Sequence, residues 1–146
     1  MQLSTTLGEK VVSKATAETL GTVDGVVIDP AASEITALRL GKGRKAKIVP
    51  WGQVAGVGTA AAIVEHDDAL RDPHDGTEQR YAGGDIALIG ALVLSDRGNS
   101  LGTITDVEYQ DDTGKLTAIR TSQSRAIDAE RLRAVGTYAW IVSGDE

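Results

Sequence analysis

The sequence predicts an all-β protein made of two similar small units in tandem. Its 146 residues suit one ordinary domain or two small ones. Hydrophobic residues make up 41% and aromatic residues only 3%, so branched aliphatic side chains must build the core, and these favour strands. The 17 glycines stand among short Val/Ile runs, which indicates tight turns. An internal repeat divides the chain into the two units.

The repeat relates residues 20–39 to residues 101–120 without gaps. Seven of the twenty aligned positions are identical, at an offset of 81. Shorter matches continue on both sides at offsets between 82 and 78, so the few insertions belong in loops. We therefore predict a first unit over residues 1–65, an acidic linker over 66–85 and a second unit over 86–146.

Each unit shows short apolar runs separated by turn residues. In the first unit we predict strands, a hairpin turn at 29–33, a polar loop at 41–45 and a helical turn at 50–54; the strands are Lys10–Ser13, Gly21–Asp29, Glu34–Leu40, Ala46–Val49 and those within Ala55–Glu65. Strands this short, with turn signals at this spacing and no long helical period, predict a small barrel or sandwich.

The segment between the units is acidic and has no apolar period. Residues 66–85 hold six Asp and Glu against two Lys and Arg, and they include Pro73. We interpret this segment as a linker, with partial order against one barrel as the alternative.

Composition and missing motifs argue against several classes of function. The chain has no Cys, which excludes disulfides, thiol catalysis and iron–sulfur clusters. It also lacks a Gly-x-Ser-x-Gly elbow and a Gly-x-Gly-x-x-Gly loop. The net charge of −6 disfavours direct binding of nucleic acid or of an anionic membrane. We expect a protein that is not an enzyme and has no cofactor.

The sequence also shows no signal for targeting or for membrane insertion. The first residues have no basic stretch followed by an apolar run, so we predict no signal peptide. Since no stretch approaches the length of a membrane span, we expect a cytoplasmic location.

Five segments of the first unit resemble the PRC-barrel family in residue pattern and order. They are Leu7–Val12, Leu20–Val23, Val26–Pro30, Glu34–Leu38 and Ile48–Val54. The resemblance covers residues 3–66 and, more weakly, 86–143. The second unit departs from it where Asp128 and Ala129 replace Pro50 and Trp51.

The resemblance implies a fold and a class of activity. It implies two PRC-type β-barrels of about six strands each, which we expect to pack as a pseudo-twofold pair. The chain would then be a monomeric pseudo-dimer or a homodimer. Family members serve as assembly or interaction modules without catalytic residues, which implies a protein partner here, including a membrane-associated or multiprotein complex.

The loop at 41–47 gives a second hypothesis. Lys42, Arg44, Lys45 and Lys47 place four cations in seven residues, with glycines that allow close backbone approach. These residues are candidates for contacting RNA or a ribosome-associated partner, and the alternative is a solvated hairpin loop.

The acidic linker gives a third hypothesis. The segment His66–Asp75 contains His66, Asp72 and His74, which are weak candidates for holding a divalent metal or a small ligand. Their spacing matches no rigid ligand frame, so we expect no metal site and interpret the segment as an ordinary acidic linker.

Trp51 is the last candidate. On the barrel rim it would serve either as an exposed anchor for a partner or as a plug over the barrel end. We favour the plug, because a core without Phe needs volume.

Overall fold

The computed structural model describes residues 1–74 and 76–144 as a mainly β structure. A short helix α1 (Leu3–Thr6) precedes the strands of the first half. Short 3₁₀ turns, Gly43–Lys45 and Trp51–Gln53, flank the fifth strand. The strands are β1 (Lys10–Ser13), β2 (Thr19–Thr22), β3 (Gly25–Asp29), β4 (Glu34–Leu40), β5 (Lys47–Pro50), β6 (Val54–Val57) and β7 (Ala61–Val64).

The second half follows after a 3₁₀ turn (Asp67–Ala69) and helix α2 (Gly76–Ala82). A further 3₁₀ turn, Ala129–Arg131, lies between two of its strands. The strands are β8 (Leu92–Ser95), β9 (Ser100–Tyr109), β10 (Leu116–Thr121), β11 (Ala126–Asp128), β12 (Leu132–Val135) and β13 (Trp140–Val142).

The two halves repeat the same strand pairing. In the first half β1 pairs antiparallel with β2 and parallel with β7, and β7 pairs with β6. In the second half β8 pairs antiparallel with β9 and parallel with β13, and β13 pairs with β12. The remaining pairs also correspond, since β3-β4-β5 matches β9-β10-β11. The repeat in the sequence thus corresponds to a repeated pattern of strand pairing in the structure.

Backbone details repeat as well. Gly8 and Gly90 both have positive φ, +92° and +90°. The amide of Gly8 donates to the carbonyl of Val23 over 2.8 Å, and that of Gly90 donates to the carbonyl of Ile104 over 2.7 Å. Left-handed backbone at these positions favours glycine, which explains why both halves carry it.

The sheets are open, which differs from the closed barrels predicted from the sequence. The described residues form three sheets, ordered β2-β1-β7-β6, β3-β4-β5 and β11-β10-β9-β8-β13-β12. Strand β9 is continuous, whereas its counterpart is interrupted between Thr22 and Gly25. Register shifts interrupt the ladders at Val11/Val12 and at Leu92/Leu94. Bulges of this kind interrupt the ladder of hydrogen bonds and bend the strands. The sheets therefore curve but do not close into barrels.

One apolar core runs through both halves and consists mainly of Val, Ile and Leu, as the composition predicts. Two large aromatic side chains, Trp140 and Tyr109, are fully buried in it. The indole N–H of Trp140 donates to the carbonyl of Ala87 over 2.9 Å, so this buried donor is satisfied.

The halves contact each other through residues that the repeat makes equivalent. Glu34 forms an isolated antiparallel bridge with Lys115, and these two positions differ by the repeat offset of 81. Helix α1 packs against β9 of the other half. Two backbone hydrogen bonds flank the bridge, from Ile35 N to Gly114 O at 2.7 Å and from Leu116 N to Ser33 O at 2.8 Å.

The segment 66–85, predicted as a linker, is folded against the first half over its described residues. Arg71 exchanges backbone hydrogen bonds of 2.8 and 2.9 Å with Ile48, which extends the β3-β4-β5 sheet. Helix α2 packs on β3, and the Tyr81 hydroxyl donates to the Ile28 carbonyl. In the described part of the chain, no helix has the length and apolar character needed to cross a bilayer.

Candidate partner-binding surface

The loop after β4 presents cations to solvent. Gly41 and Gly43 have positive φ of +71° and +68°, and the loop ends in the 3₁₀ turn at 43–45. The amide of Gly41 donates to a carboxylate oxygen of Asp24 over 2.6 Å, which fixes the base of the loop. Lys42, Arg44 and Lys45 are exposed; we call these three residues the basic face.

Lys47, the fourth cation of the loop at 41–47, forms an ion pair with Asp72. Its ammonium lies 2.6 Å from a carboxylate oxygen of Asp72. The hydrogen bond and charge of Lys47 hold the pKa of Asp72 below its usual range. The structure therefore pairs a residue of the candidate RNA-contacting loop with a weak candidate metal ligand, and the two charges neutralise each other.

A groove borders the basic face. It has a volume of about 400 Å³ and lies between the loop and helix α2. Arg44 supplies a charged wall, and Pro73 and Ala82 supply apolar wall. The complete lining is Gly43, Arg44, Pro73, Gln79, Ala82 and Gly83.

A half-buried ion pair fixes the helix side of this groove. The guanidinium of Arg71 binds the Glu78 carboxylate through two bonds of 2.7 Å, and the His74 amide donates to the same carboxylate over 2.9 Å. These contacts, with Arg71 foremost, lower the pKa of Glu78 to about 2 despite desolvation. Bidentate pairs of this kind fix geometry as well as charge.

A buried arginine ties helix α2 to the strand before the loop. Arg39 donates to the carbonyls of Tyr81, over 2.7 Å, and Asp24, over 2.6 Å. Burial lowers the pKa of its guanidinium, with Asp24 opposing the shift. The bonds join the end of α2 and the start of β3 to β4, so the groove has rigid walls.

The three metal candidates are not assembled into a site. Asp72 binds Lys47, and the backbone of His74 binds Glu78. In residues 1–74 and 76–144, no group of three His, Asp or Glu side chains is arranged to hold a metal ion. Asp75, which ends the predicted ligand segment, lies outside the described residues.

Trp51 lies between the halves, not on a free rim. Its ring meets that of Tyr109 edge to face, with centroids 6.0 Å apart and planes at 86°. It also covers Gly114, where an added Cβ would lie 3.1 Å from the indole ring. The structure thus places Trp51 as a packing residue, closer to the plug than to the exposed anchor.

One exposed aromatic side chain was not among the sequence candidates. Tyr138, in the turn between β12 and β13, is 79% exposed. At the repeat offset of 78 the first half has Ala60 in this place. The alignment of the two halves already shows this difference, but only the structure shows that Tyr138 is exposed.

Comparison with known proteins relates the first half to a family. No curated protein matches the chain. Residues 1–71, which include the basic face and end at the Arg71 bridge to β5, match the PRC-barrel domain family.

Proposed function

We propose that the protein is a non-enzymatic, cytoplasmic interaction module of the PRC-barrel type that binds an acidic segment of a partner protein through the basic face. The proposal rests on one observation above all. Lys42, Arg44 and Lys45 are exposed together beside a groove with partly apolar walls. The match of residues 1–71 to the PRC-barrel domain supports an interaction role.

We propose further that residues 86–146 form a second unit of the same type. The repeated strand pairing and the Glu34–Lys115 bridge between equivalent residues support a pseudo-twofold pair. Only the first unit carries the basic face, because the equivalent loop, 122–125, has Arg125 as its one cation. The two units therefore have different roles, with the first binding the partner and the second supporting it.

Electrostatics favour an acidic protein segment over nucleic acid. The chain carries a net charge of −6, so a phosphate backbone would be repelled outside the immediate loop. A short acidic peptide touches only the local cations, and its apolar side chains would contact Pro73 and Ala82. Complementary charge of this kind sets the orientation and speed of binding.

Affinity capture from the native host tests this function. The tagged protein is captured with and without nuclease, alongside Arg44→Glu and the matched control Arg125→Glu, which reverses the equivalent charge in the second unit. We expect one protein partner that survives nuclease, is retained by the control, and is depleted about tenfold by Arg44→Glu. Melting curves establish that both variants are folded.

Two results would refute the proposal. Loss of the partner on nuclease treatment would assign the loop to RNA. Equal retention by Arg44→Glu and Arg125→Glu would show that the basic face is not the binding surface.

A further inference from the structure

Two equivalent hairpins end the sheets at open edges. Strand β6 ends one sheet of the described residues and pairs with β7, and β12 ends another and pairs with β13. The repeat offset of 78 relates the two hairpins. Open edges leave backbone groups ready to pair with another strand.

Each hairpin borders a shallow groove, and the two grooves differ in shape. The groove at β6–β7 has a volume of about 470 Å³ and is lined by Gly56, Gly58 and Ala60 among others. The groove at β12–β13 has a volume of about 440 Å³, and Tyr138 projects beside it. One hairpin thus offers a large aromatic side chain, and the other offers space where side chains are missing or small.

The grooves also differ in charge. Asp111 lines the β6–β7 groove, and Arg80 lines the β12–β13 groove. An added Cβ at Gly136 would lie 4.0 Å from the Arg80 guanidinium, so the cation lies directly over the hairpin. The two surfaces are complementary in charge as well as in shape.

We propose that the chain assembles head to tail with further copies of itself, with the β12–β13 hairpin of one copy docking on the β6–β7 hairpin of the next. Tyr138 enters the space over Gly56, Gly58 and Ala60, and Arg80 faces Asp111. Interface hot spots are enriched in Tyr and Arg side chains, the two residue types that the β12–β13 groove would contribute.

The same features disfavour a symmetric contact. Pairing two β12–β13 hairpins would bring two Arg80 side chains together, and pairing two β6–β7 hairpins would bring two Asp111 side chains together. A head-to-tail contact leaves one hairpin of each type free at the ends, so assembly continues beyond a dimer. The two hairpin grooves share no lining residue with the groove beside the basic face, and the inference does not depend on the proposed function.

Sedimentation velocity of the full chain over a range of concentrations tests the assembly. We expect the wild-type protein to form species larger than a dimer as concentration rises. Tyr138→Ser and Asp111→Lys should each be monomeric, the first because it lacks the anchor and the second because it repels Arg80. A mixture of the two should form a one-to-one dimer and nothing larger, because each variant keeps the surface that the other lacks.

Three outcomes would overturn the inference. The first is a wild-type protein that stays monomeric at all concentrations. The second is a Tyr138→Ser variant that assembles like the wild type. The third is an Asp111→Lys variant that dimerises alone, which would indicate a symmetric contact through β12–β13. A charge exchange, Arg80→Asp with Asp111→Lys in one chain, should restore assembly and shows that loss in the single variant is not a folding defect.

Discussion

Replacing Gly114 by alanine should weaken the contact between the halves by a predictable amount. Gly114 has a φ of +77°, and an added Cβ would lie 2.7 Å from the Ile35 carbonyl oxygen and 3.1 Å from the Trp51 ring. Left-handed backbone costs a non-glycine residue about 1 kcal/mol. Overlap with packed atoms, one of them backbone, adds roughly 1–3 kcal/mol.

Gly98 is the matched control for this change. Its φ is +89°, and an added Cβ there would meet nothing within 4 Å. Gly98→Ala should therefore show the backbone cost alone. One kcal/mol lowers the melting temperature of a chain of this size by about 3 °C. The melting temperature followed by circular dichroism should therefore fall by about 3 °C for the control and by roughly 6–12 °C for Gly114→Ala.

The equivalent turn of the first half explains why glycine is required on one side only. Ser33 also has positive φ, +52°, yet it faces Ala129, and its hydroxyl donates to the Ala129 carbonyl over 2.7 Å. Gly114 faces Trp51 in the place where Ser33 faces Ala129. Equal melting temperatures for Gly114→Ala and Gly98→Ala would refute this account of the contact.

Two carboxylates give opposite pH dependences. Glu9 is 9% exposed, and within the described residues neither of its carboxylate oxygens has a hydrogen-bond partner. Burial raises the pKa of Glu9, so the folded protein binds the proton more tightly than the unfolded chain does. The ionised Glu9 side chain therefore lowers the stability of the fold at pH values above the ordinary carboxyl pKa. Because the neutral amide carries no charge to desolvate, Glu9→Gln should be less destabilising, relative to the wild type, at pH 7 than near pH 4 in urea unfolding, and an effect of equal size at both pH values would contradict this. Glu78 has a pKa lowered to about 2 from 4.5 by Arg71, so its contribution is complete above the ordinary value and is lost as pH falls toward 2. Glu78→Gln should flatten the fall of stability over that interval, and an unchanged slope would argue against the ion pair.

The sequence predicts the repeat and the positions of the strands in the first half well, because both depend on local patterns. Apolar runs bounded by Gly and Asp locate the strands, and the equivalence of Glu34 and Lys115 follows from the offset alone. Closure of the sheets is different, since it depends on where bulges interrupt hydrogen bonding between distant strands. The pattern therefore predicts barrels where the structure has open sheets.

Helix α2 was missed because its stability comes from contacts with residues outside the helix. Its segment is acidic and lacks an apolar period, so local signals indicate a linker. The Arg71–Glu78 pair and the burial of Tyr81 against Ile28 stabilise it in the folded protein. Neither contact can be inferred from spacing along the chain.

The basic face illustrates the same division. Exposure of Lys42, Arg44 and Lys45 follows from their place in a polar loop. The pairing of Lys47 with Asp72 joins residues that no local pattern connects. Hence the sequence locates the candidate surface but overestimates its charge.

The packing of two like units through equivalent residues can be tested directly with a cross-link. The chain has no cysteine, so Glu34→Cys with Lys115→Cys introduces the only two thiols. Facing residues of this type of antiparallel pair have Cα atoms about 4.5 Å apart, which suits a disulfide. Oxidation should give a disulfide within one chain, and neither single-cysteine variant should form such a bond. Two free thiols, or a disulfide between chains only, would contradict the pairing of the two units.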